Sequence, residues 1–394
     1  MKTDPKFIVK QYVKMFCQHV LLPAVYNVYR LKPVKKGYVI MADAHHESLP
    51  FSMSALRREF YEHPQFDVRE MFHDNNRHGL VSNVLFMLDF MREYAQAQTV
   101  ILCDDFLPAA ACSKRRGTKV IQLWHACGAF KKFGRDSRED IPSFYRGSVT
   151  KNWNMVTVSS SVCVRPFAHA LGLPTRRIRP IGVSRTDEYF DRDFNDMCRR
   201  RFYAGNPGAA GKKVILWAPT FRGNASRADV EGLQVIQQLM KELEDQYYFV
   251  IKLHPHSEAH LHASTTTMPT EELLASADLV ITDYSSVLFD AMAYDLPVIL
   301  YAPDLDTYLD GRGFYLNFDS IPAVRAENKE ELREAIKSPR TLAMTESRRY
   351  RAFYDFYMAG CDGQASARVM HQIIKWSNLP DLGSQPGNEG AAQG

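Results

Sequence analysis

The stretch Leu279-Val280-Ile281-Thr282-Asp283-Tyr284-Ser285-Ser286-Val287-Leu288-Phe289-Asp290 runs from an apolar, β-branched segment through a polar turn into a helical pattern that continues to about Tyr294. A short apolar run without alternation reads as a strand buried on both faces, as in a parallel sheet. The same grammar recurs along the chain. Candidate strands are Tyr38–Asp43, Thr99–Asp104, Lys119–His125, Met155–Ser160 and Arg177–Gly182, then Lys212–Pro219, Tyr247–His254, Leu279–Asp283 and Pro297–Ala302. Helix-length segments such as Val81–Gln96 and Leu233–Asp245 separate them. Strand–helix alternation predicts an α/β protein built on parallel sheets with helices on both faces.

At 394 residues the chain is long enough for two such domains. The charged and then Gly/Pro-rich stretch Asp191–Lys213 reads as the connection between them. The expected order is an N-terminal basic amphipathic helix (1–36), a Rossmann-like acceptor domain (37–190), a linker (191–211), a nucleotide-donor domain (212–376) and a disordered tail (377–394). Two doubly wound domains would face each other across a cleft at the carboxyl ends of their strands.

A formal net charge of +4 is small for this length and argues against a nucleic-acid-coating protein. Seven cysteines without a C-x-x-C pair argue against zinc and against a disulfide framework, and point to a reducing compartment. No apolar run approaches the ~20 residues that span a bilayer, and lysines interrupt the first apolar stretch where a secretory signal would be. Lys2, Lys6, Lys10 and Lys14, with Phe7, Ile8, Val13, Phe16, Val20 and Leu21, instead suit a helix lying on an anionic membrane surface; packing on its own domain is the competing reading. The expected location is the cytoplasmic face of a membrane, peripherally attached.

The unusual residues gather just after candidate strands. Trp124-His125-Ala126-Cys127-Gly128 ends one strand in a histidine followed by small residues, with Lys131 and Lys132 beyond. A histidine there suits acid–base work at a cleft, and the small residues permit close approach. Pro219, Thr220 and Arg222 end the first strand of the second series, and Lys252-Leu253-His254-Pro255-His256 ends the next. Guanidinium, ammonium and hydroxyl donors at such places suit phosphate. Ser285 and Ser286 open a helix where free N–H groups favour an anion, and Asp290, one turn on, suits a ribose or polyol hydroxyl. Simple helix capping competes with that reading but does not explain polar ends on several strands. Of two further clusters, Ala42–Glu47 with His45 and His46 reads as a strand-end loop rather than a metal site, and Cys103-Asp104-Asp105 reads equally as the carboxylate pair of metal-dependent glycosyl transfer or as a strand terminus with capping acids.

Taken in order, these motifs resemble the CDP-glycerol glycerophosphotransferase family, the teichoic acid primases and polymerases. The resemblance extends from about Tyr38 to Trp376 through Trp124–Gly134, Val158–Ser160, Ile181–Asp187, Ala218–Arg222, Lys252–His256, Thr282–Ser286 with Asp290, Arg312–Tyr315 and Asp362–Val369. It implies a GT-B fold. It also implies catalysis by His125 and His254, and donor contacts at Trp124, His125, Ala126, Cys127, Gly128, Arg185, Pro219, Thr220, Lys252, Leu253, His254, Ser285, Ser286 and Asp290. The implied reaction moves a polyol phosphate, glycerol phosphate foremost, from CDP-glycerol or CDP-ribitol to a lipid-linked or polymeric acceptor. CMP is released; no cofactor is called for, magnesium being the one ion compatible with the chemistry. The chain departs from the family at Ala126-Cys127-Gly128, where Gly-Thr-Pro is frequent, and at Val183-Ser184, before Arg185. A sugar-nucleotide glycosyltransferase of the same architecture and a non-catalytic nucleotide-binding scaffold are the competing functions.

Overall fold

The computed structural model describes residues 12–13, 15–137, 148–220, 230–253, 266–305 and 313–380. Six parallel strands, β1 (Tyr38–Asp43), β2 (Asp67–Phe72), β3 (Thr99–Leu102), β4 (Lys119–Gln122), β5 (Met155–Thr157) and β6 (Ile178–Arg179), form one sheet in the order β2-β1-β3-β4-β5-β6. A second parallel sheet holds β7 (Lys213–Trp217), β8 (Tyr247–Ile251), β9 (Leu279–Thr282), β10 (Val298–Tyr301) and β11 (Val324–Ala326), in the order β11-β10-β9-β7-β8. All nine expected strands are present. The two that the apolar pattern missed, β2 and β11, are edge strands. An edge strand keeps one side in water and loses the continuous apolar run that marks a central one.

In each sheet the winding reverses once, between β1 and β3 and between β7 and β9. At such a point the two connections leave on opposite faces and open a crevice at the strands' carboxyl ends. Pro219, Thr220, Ser285 and Ser286 follow the two strands that flank the second reversal, and Trp124–Gly128 follow β4, next to the first.

Helices α1 (Leu22–Tyr29), α2 (Phe51–Tyr61) and α3 (Leu80–Tyr94) cover the first sheet. Leu22 and Tyr26 of α1 are fully buried, the Tyr26 ring 5.3 Å from that of Tyr94. The N-terminal helix therefore packs on its own domain along this part of its length. Lys2, Lys6, Lys10 and Lys14 lie outside the described residues.

The segment 191–211 is not an extended linker. Most of it forms α4 (Arg192–Gly205), whose amide at Phe194 is capped by Asp191 at 3.1 Å and whose Cys198 and Phe202, one turn apart, are buried. Local charge concealed an amphipathic helix there. The second half continues with α5 (Leu233–Glu242), α6 (Thr270–Leu274), α7 (Val287–Ala293), α8 (Arg348–Met358) and α9 (Ala365–Ser377).

Helix α9 departs from the expected partition at residue 376. It crosses back and buries Val369, Met370 and Ile373 against Val39, Met41, Ile101 and Ile121 of the first sheet. Asp187, at the end of the first half, accepts hydrogen bonds from the Ala365 and Ser366 amides at 3.0 and 2.7 Å and so caps α9 from a distance. Where the chain crosses, Gly182 and Gly360 meet backbone to backbone: a Cβ on Gly182 would stand 2.1 Å from the Gly360 carbonyl oxygen. Of the tail read as disordered, Ser377 is buried and the Pro380 carbonyl accepts from Gln65 at 3.2 Å; residues 381–394 lie outside the description.

The halves share one core. Phe130 from the loop after β4 packs among Phe289, Phe314 and Phe318, and the Tyr315 amide donates to its carbonyl at 2.8 Å. Gly128 makes the approach possible. Its φ is +68°, and a Cβ built there would lie 2.1 Å from the Phe289 ring, which is itself held by Phe353 and Tyr357. Gly128→Ala should therefore combine left-handed strain with overpacking and lower the unfolding free energy by ~2–4 kcal/mol. Urea denaturation followed by tryptophan fluorescence checks this, and an unchanged midpoint would contradict the close packing.

Candidate functional site

The first half of the site is built at the end of β4. Gln122 is fully buried; its Oε1 accepts from the Trp124 amide at 2.9 Å and its Nε2 donates to the Asp104 carbonyl at 3.0 Å. These bonds hold the turn in which Trp124 adopts a φ of +64°, a conformation a bulky side chain takes only when its surroundings impose it. The indole packs against Phe133 and Phe167 and stacks on His125 at 5.0 Å.

His125 is thereby aimed outward, 45% exposed. Its Nδ1 lies 3.2 Å from the Cys103 carbonyl oxygen and 3.6 Å from the Asp104 carboxylate. A carbonyl can only accept, so Nδ1 carries the hydrogen, and Nε2 of the neutral ring is left as a base. Asp104, read from the sequence as a capping acid, does cap the Asp105 amide at 2.7 Å and also orients this imidazole.

Arg185 joins this loop to the second half. Its Nη1 donates to the His125 carbonyl, and its Nη2 reaches Glu271 of α6 at 2.9 Å and the Tyr189 hydroxyl at 3.2 Å. Its Nε lies 3.6 Å from Asp290 of α7, which accepts from the Tyr189 hydroxyl at 2.9 Å. Burial opposes the arginine's charge, but Asp290, Tyr189 and Glu271 outweigh it and hold the guanidinium firmly protonated. Burial also pushes the Asp290 carboxyl upward, against the pull of Arg185 and Tyr189. With a guanidinium so near, the pair is ionic at neutral pH.

In the second half, Pro219 and Thr220 follow β7, Lys252 and Leu253 follow β8, and Ser285 and Ser286 follow β9. Asp283 fastens two of these ends together by accepting from the Thr220 amide at 2.8 Å and from the Tyr284 amide. Ser285 Oγ accepts from the Val287 amide at 3.3 Å, so it caps the helix as well as lying at the mouth. The Lys252 amide donates to the Trp217 carbonyl at 2.9 Å.

The structure thus brings Trp124–Gly128, Arg185 and Asp290 into direct contact, and gathers Pro219, Thr220, Lys252 and Ser285–Ser286 on three adjacent strand ends. It places some of these residues differently from the sequence reading. Asp290 is almost fully buried against Arg185 and Tyr189 rather than presented to a hydroxyl. Arg185 engages two carboxylates, and Cys127 and Leu253 are buried in the core. The charge of Arg185 is compensated within the protein, so here it braces the loop that carries His125. His254, His256, Arg222 and Arg312 lie outside the described residues. Among the described residues no three His, Cys, Asp or Glu side chains converge as a metal site. Tyr189, Glu271 and Ser159, whose Oγ accepts from the Gly128 amide at 2.9 Å, carry no local sequence signal, because each acts through a partner 31 to 101 residues away.

Removing one member of a buried ion pair leaves the other uncompensated. Asp290→Ala should lower the unfolding free energy by ~3–5 kcal/mol, and Tyr189→Phe by about 1 kcal/mol. Chemical denaturation of the two variants measures the ordering, and equal midpoints would refute it.

The sequence profile described as CDP-Glycerol:Poly(glycerophosphate) glycerophosphotransferase matches residues 24–375. The chain is 29% identical over 364 residues to the teichoic acid ribitol-phosphate primase of Bacillus spizizenii, covering 86% of this chain and 91% of that one. It is 29% identical over 291 residues to the teichoic acid glycerol-phosphate primase of Bacillus subtilis, covering 70% and 73% respectively. Among solved structures, the wall teichoic acid polymerase TagF superposes with a TM-score of 0.73 at 21% identity, over 94% of this chain and 98% of that chain. Two parallel α/β domains packed through a shared core are the GT-B architecture, and the chain is a transferase belonging to the CDP-glycerol:poly(glycerophosphate) glycerophosphotransferase family.

Proposed function

We propose that the protein transfers a polyol phosphate from CDP-glycerol or CDP-ribitol to the hydroxyl of a lipid-linked or polymeric cell-wall acceptor. The acceptor oxygen attacks the β-phosphorus, the bond to the bridging oxygen breaks, CMP leaves, and the acceptor's proton passes to His125 Nε2. The observation that carries this reading is the placement of His125 Nδ1 against the Cys103 carbonyl and Asp104, which leaves Nε2 as the nitrogen able to take a proton. The donor diphosphate is assigned to the strand ends Pro219–Thr220, Lys252 and Ser285–Ser286, with His254 added on the family resemblance alone. The reading includes no resident metal; magnesium is compatible as a counter-ion of the diphosphate. Family membership favours transfer at phosphorus over transfer at a sugar carbon and over a non-catalytic scaffold. Both polyols belong to this reading, since the chain matches a ribitol-phosphate primase over 91% of that protein and a glycerol-phosphate primase over 89%.

We also assign a peripheral membrane position, on the cytoplasmic face where a lipid-linked acceptor would be met. No helix among the described residues is long and apolar enough to cross a bilayer. The helical N-terminal segment leaves Tyr12, Val13, Phe16 and Val20 exposed while burying Leu22 and Tyr26, and α3 exposes Leu80, Val81 and Leu85. An apolar surface on an otherwise packed helix suits shallow insertion between headgroups.

Two measurements test these assignments. Purified protein incubated with each CDP-polyol and an acceptor should release CMP and extend the acceptor by one polyol-phosphate mass or more, and His125→Ala should slow turnover by ~10²–10⁴-fold. Near-normal turnover in that variant removes His125 as the base, and UDP release from a UDP-sugar would favour the glycosyltransferase reading. Phe16→Glu combined with Val20→Glu should abolish sedimentation with anionic vesicles without changing the fold; unchanged sedimentation overturns the membrane assignment.

A further inference from the structure

A second imidazole is linked to His125 through Asp43 and Cys103. The loop after β1 carries His46, whose Nδ1 lies 2.8 Å from Asp43 Oδ2. Asp43 is 1% exposed, and its carboxylate also accepts from the His45 amide at 2.7 Å and from the Cys103 thiol at 3.7 Å. A carboxylate buried this deeply and supplied with three donors is a fixed support rather than a surface charge. The ring of His46 is half-exposed, and its Nε2 has no hydrogen-bond partner among the described residues.

The position of His46 gives this arrangement its meaning. β1 pairs with β3, and β3 with β4, so their carboxyl ends stand side by side at the reversal of the first sheet. Cys103 links the two imidazoles: its thiol donates to Asp43, which holds His46, and its carbonyl faces His125 Nδ1. The Ala42–Glu47 loop, which reads from the sequence as a plain strand end, is therefore tied to the strand end that orients His125.

The chemistry of the mouth selects the ligand. Asp43, Asp74 and Asp104 all act on His46, and three carboxylates repel a phosphate. Neutral hydroxyls meet no such penalty, since imidazole nitrogens and carboxylate oxygens are good partners for them. We propose that His46, held by Asp43, binds through Nε2 a hydroxyl of the acceptor's terminal polyol next to the one that attacks, so that the Asp43–His46 pair selects acceptors ending in a vicinal diol. This rests on the polyol-phosphate transfer reading given above.

The test compares an acceptor ending in glycerol phosphate with its deoxy analogue lacking the neighbouring hydroxyl, using wild type, His46→Ala and His46→Phe. Wild type should prefer the diol by about tenfold in kcat/KM, the value of one hydrogen bond. Both variants should use the two acceptors equally, through a raised KM for the diol acceptor, with KM for the CDP-polyol unchanged. Retained discrimination, or a fall in kcat with acceptor KM unaltered, overturns the proposal. Should wild type transfer from neither CDP-polyol, the functional reading fails by itself. Saturation-transfer NMR with the glycerol-terminated acceptor alone then decides the contact: a signal lost in both variants upholds it, and an equal signal in all three proteins rejects it.

Discussion

A charge inside a protein must be answered by another charge, and the Arg185–Asp290 pair is where this structure meets that requirement. Asp290 belongs to the helix after β9, Arg185 to the segment after β6, and the guanidinium also holds the carbonyl of His125. One group therefore connects the His125 loop of the first half to the helix after β9 in the second. That loop is positioned by this closure together with Gly128 against Phe289. The two devices act differently: the ion pair sets a direction, and the glycine removes the atoms that would keep the halves apart.

The two sheets contribute different chemistry to the cleft. The first supplies imidazoles held by carboxylates, which suits hydroxyl recognition and proton removal. The second supplies amides, hydroxyls and Lys252 on three adjacent strand ends, which suits a diphosphate. Under the proposed function, acceptor and donor are divided between the two sheets, so that each binds on its own terms and in-line transfer needs only their alignment.

Much of this was legible beforehand. Central parallel strands are buried on both faces, so all seven appeared as apolar runs, as did the edge strands β6 and β8, and polar residues terminate them. His125 stood out because it ended such a run. Edge strands β2 and β11 were invisible for the converse reason, and α4 was hidden because charge dominates its composition while only Cys198 and Phe202 face inward. The Asp362–Val369 motif showed no purpose in the sequence. In the structure Asp187 caps that segment and Arg368 donates to the Ile181 and Gly360 carbonyls, so its purpose is architectural.

The sequence by itself determined two parallel α/β layers and the polar strand ends from which the proposed site is drawn, because burial and strand termini leave local marks. Only the tertiary structure decided which of these residues engage one another. Asp290 and Arg185 proved to be partners, α9 proved to belong to the first sheet, and His46 proved to be linked to His125 through Asp43 and Cys103. Each of these depends on contacts between segments ~80 to ~330 residues apart, and hydrophobic periodicity, which reports only a residue's immediate neighbours, carries no record of them.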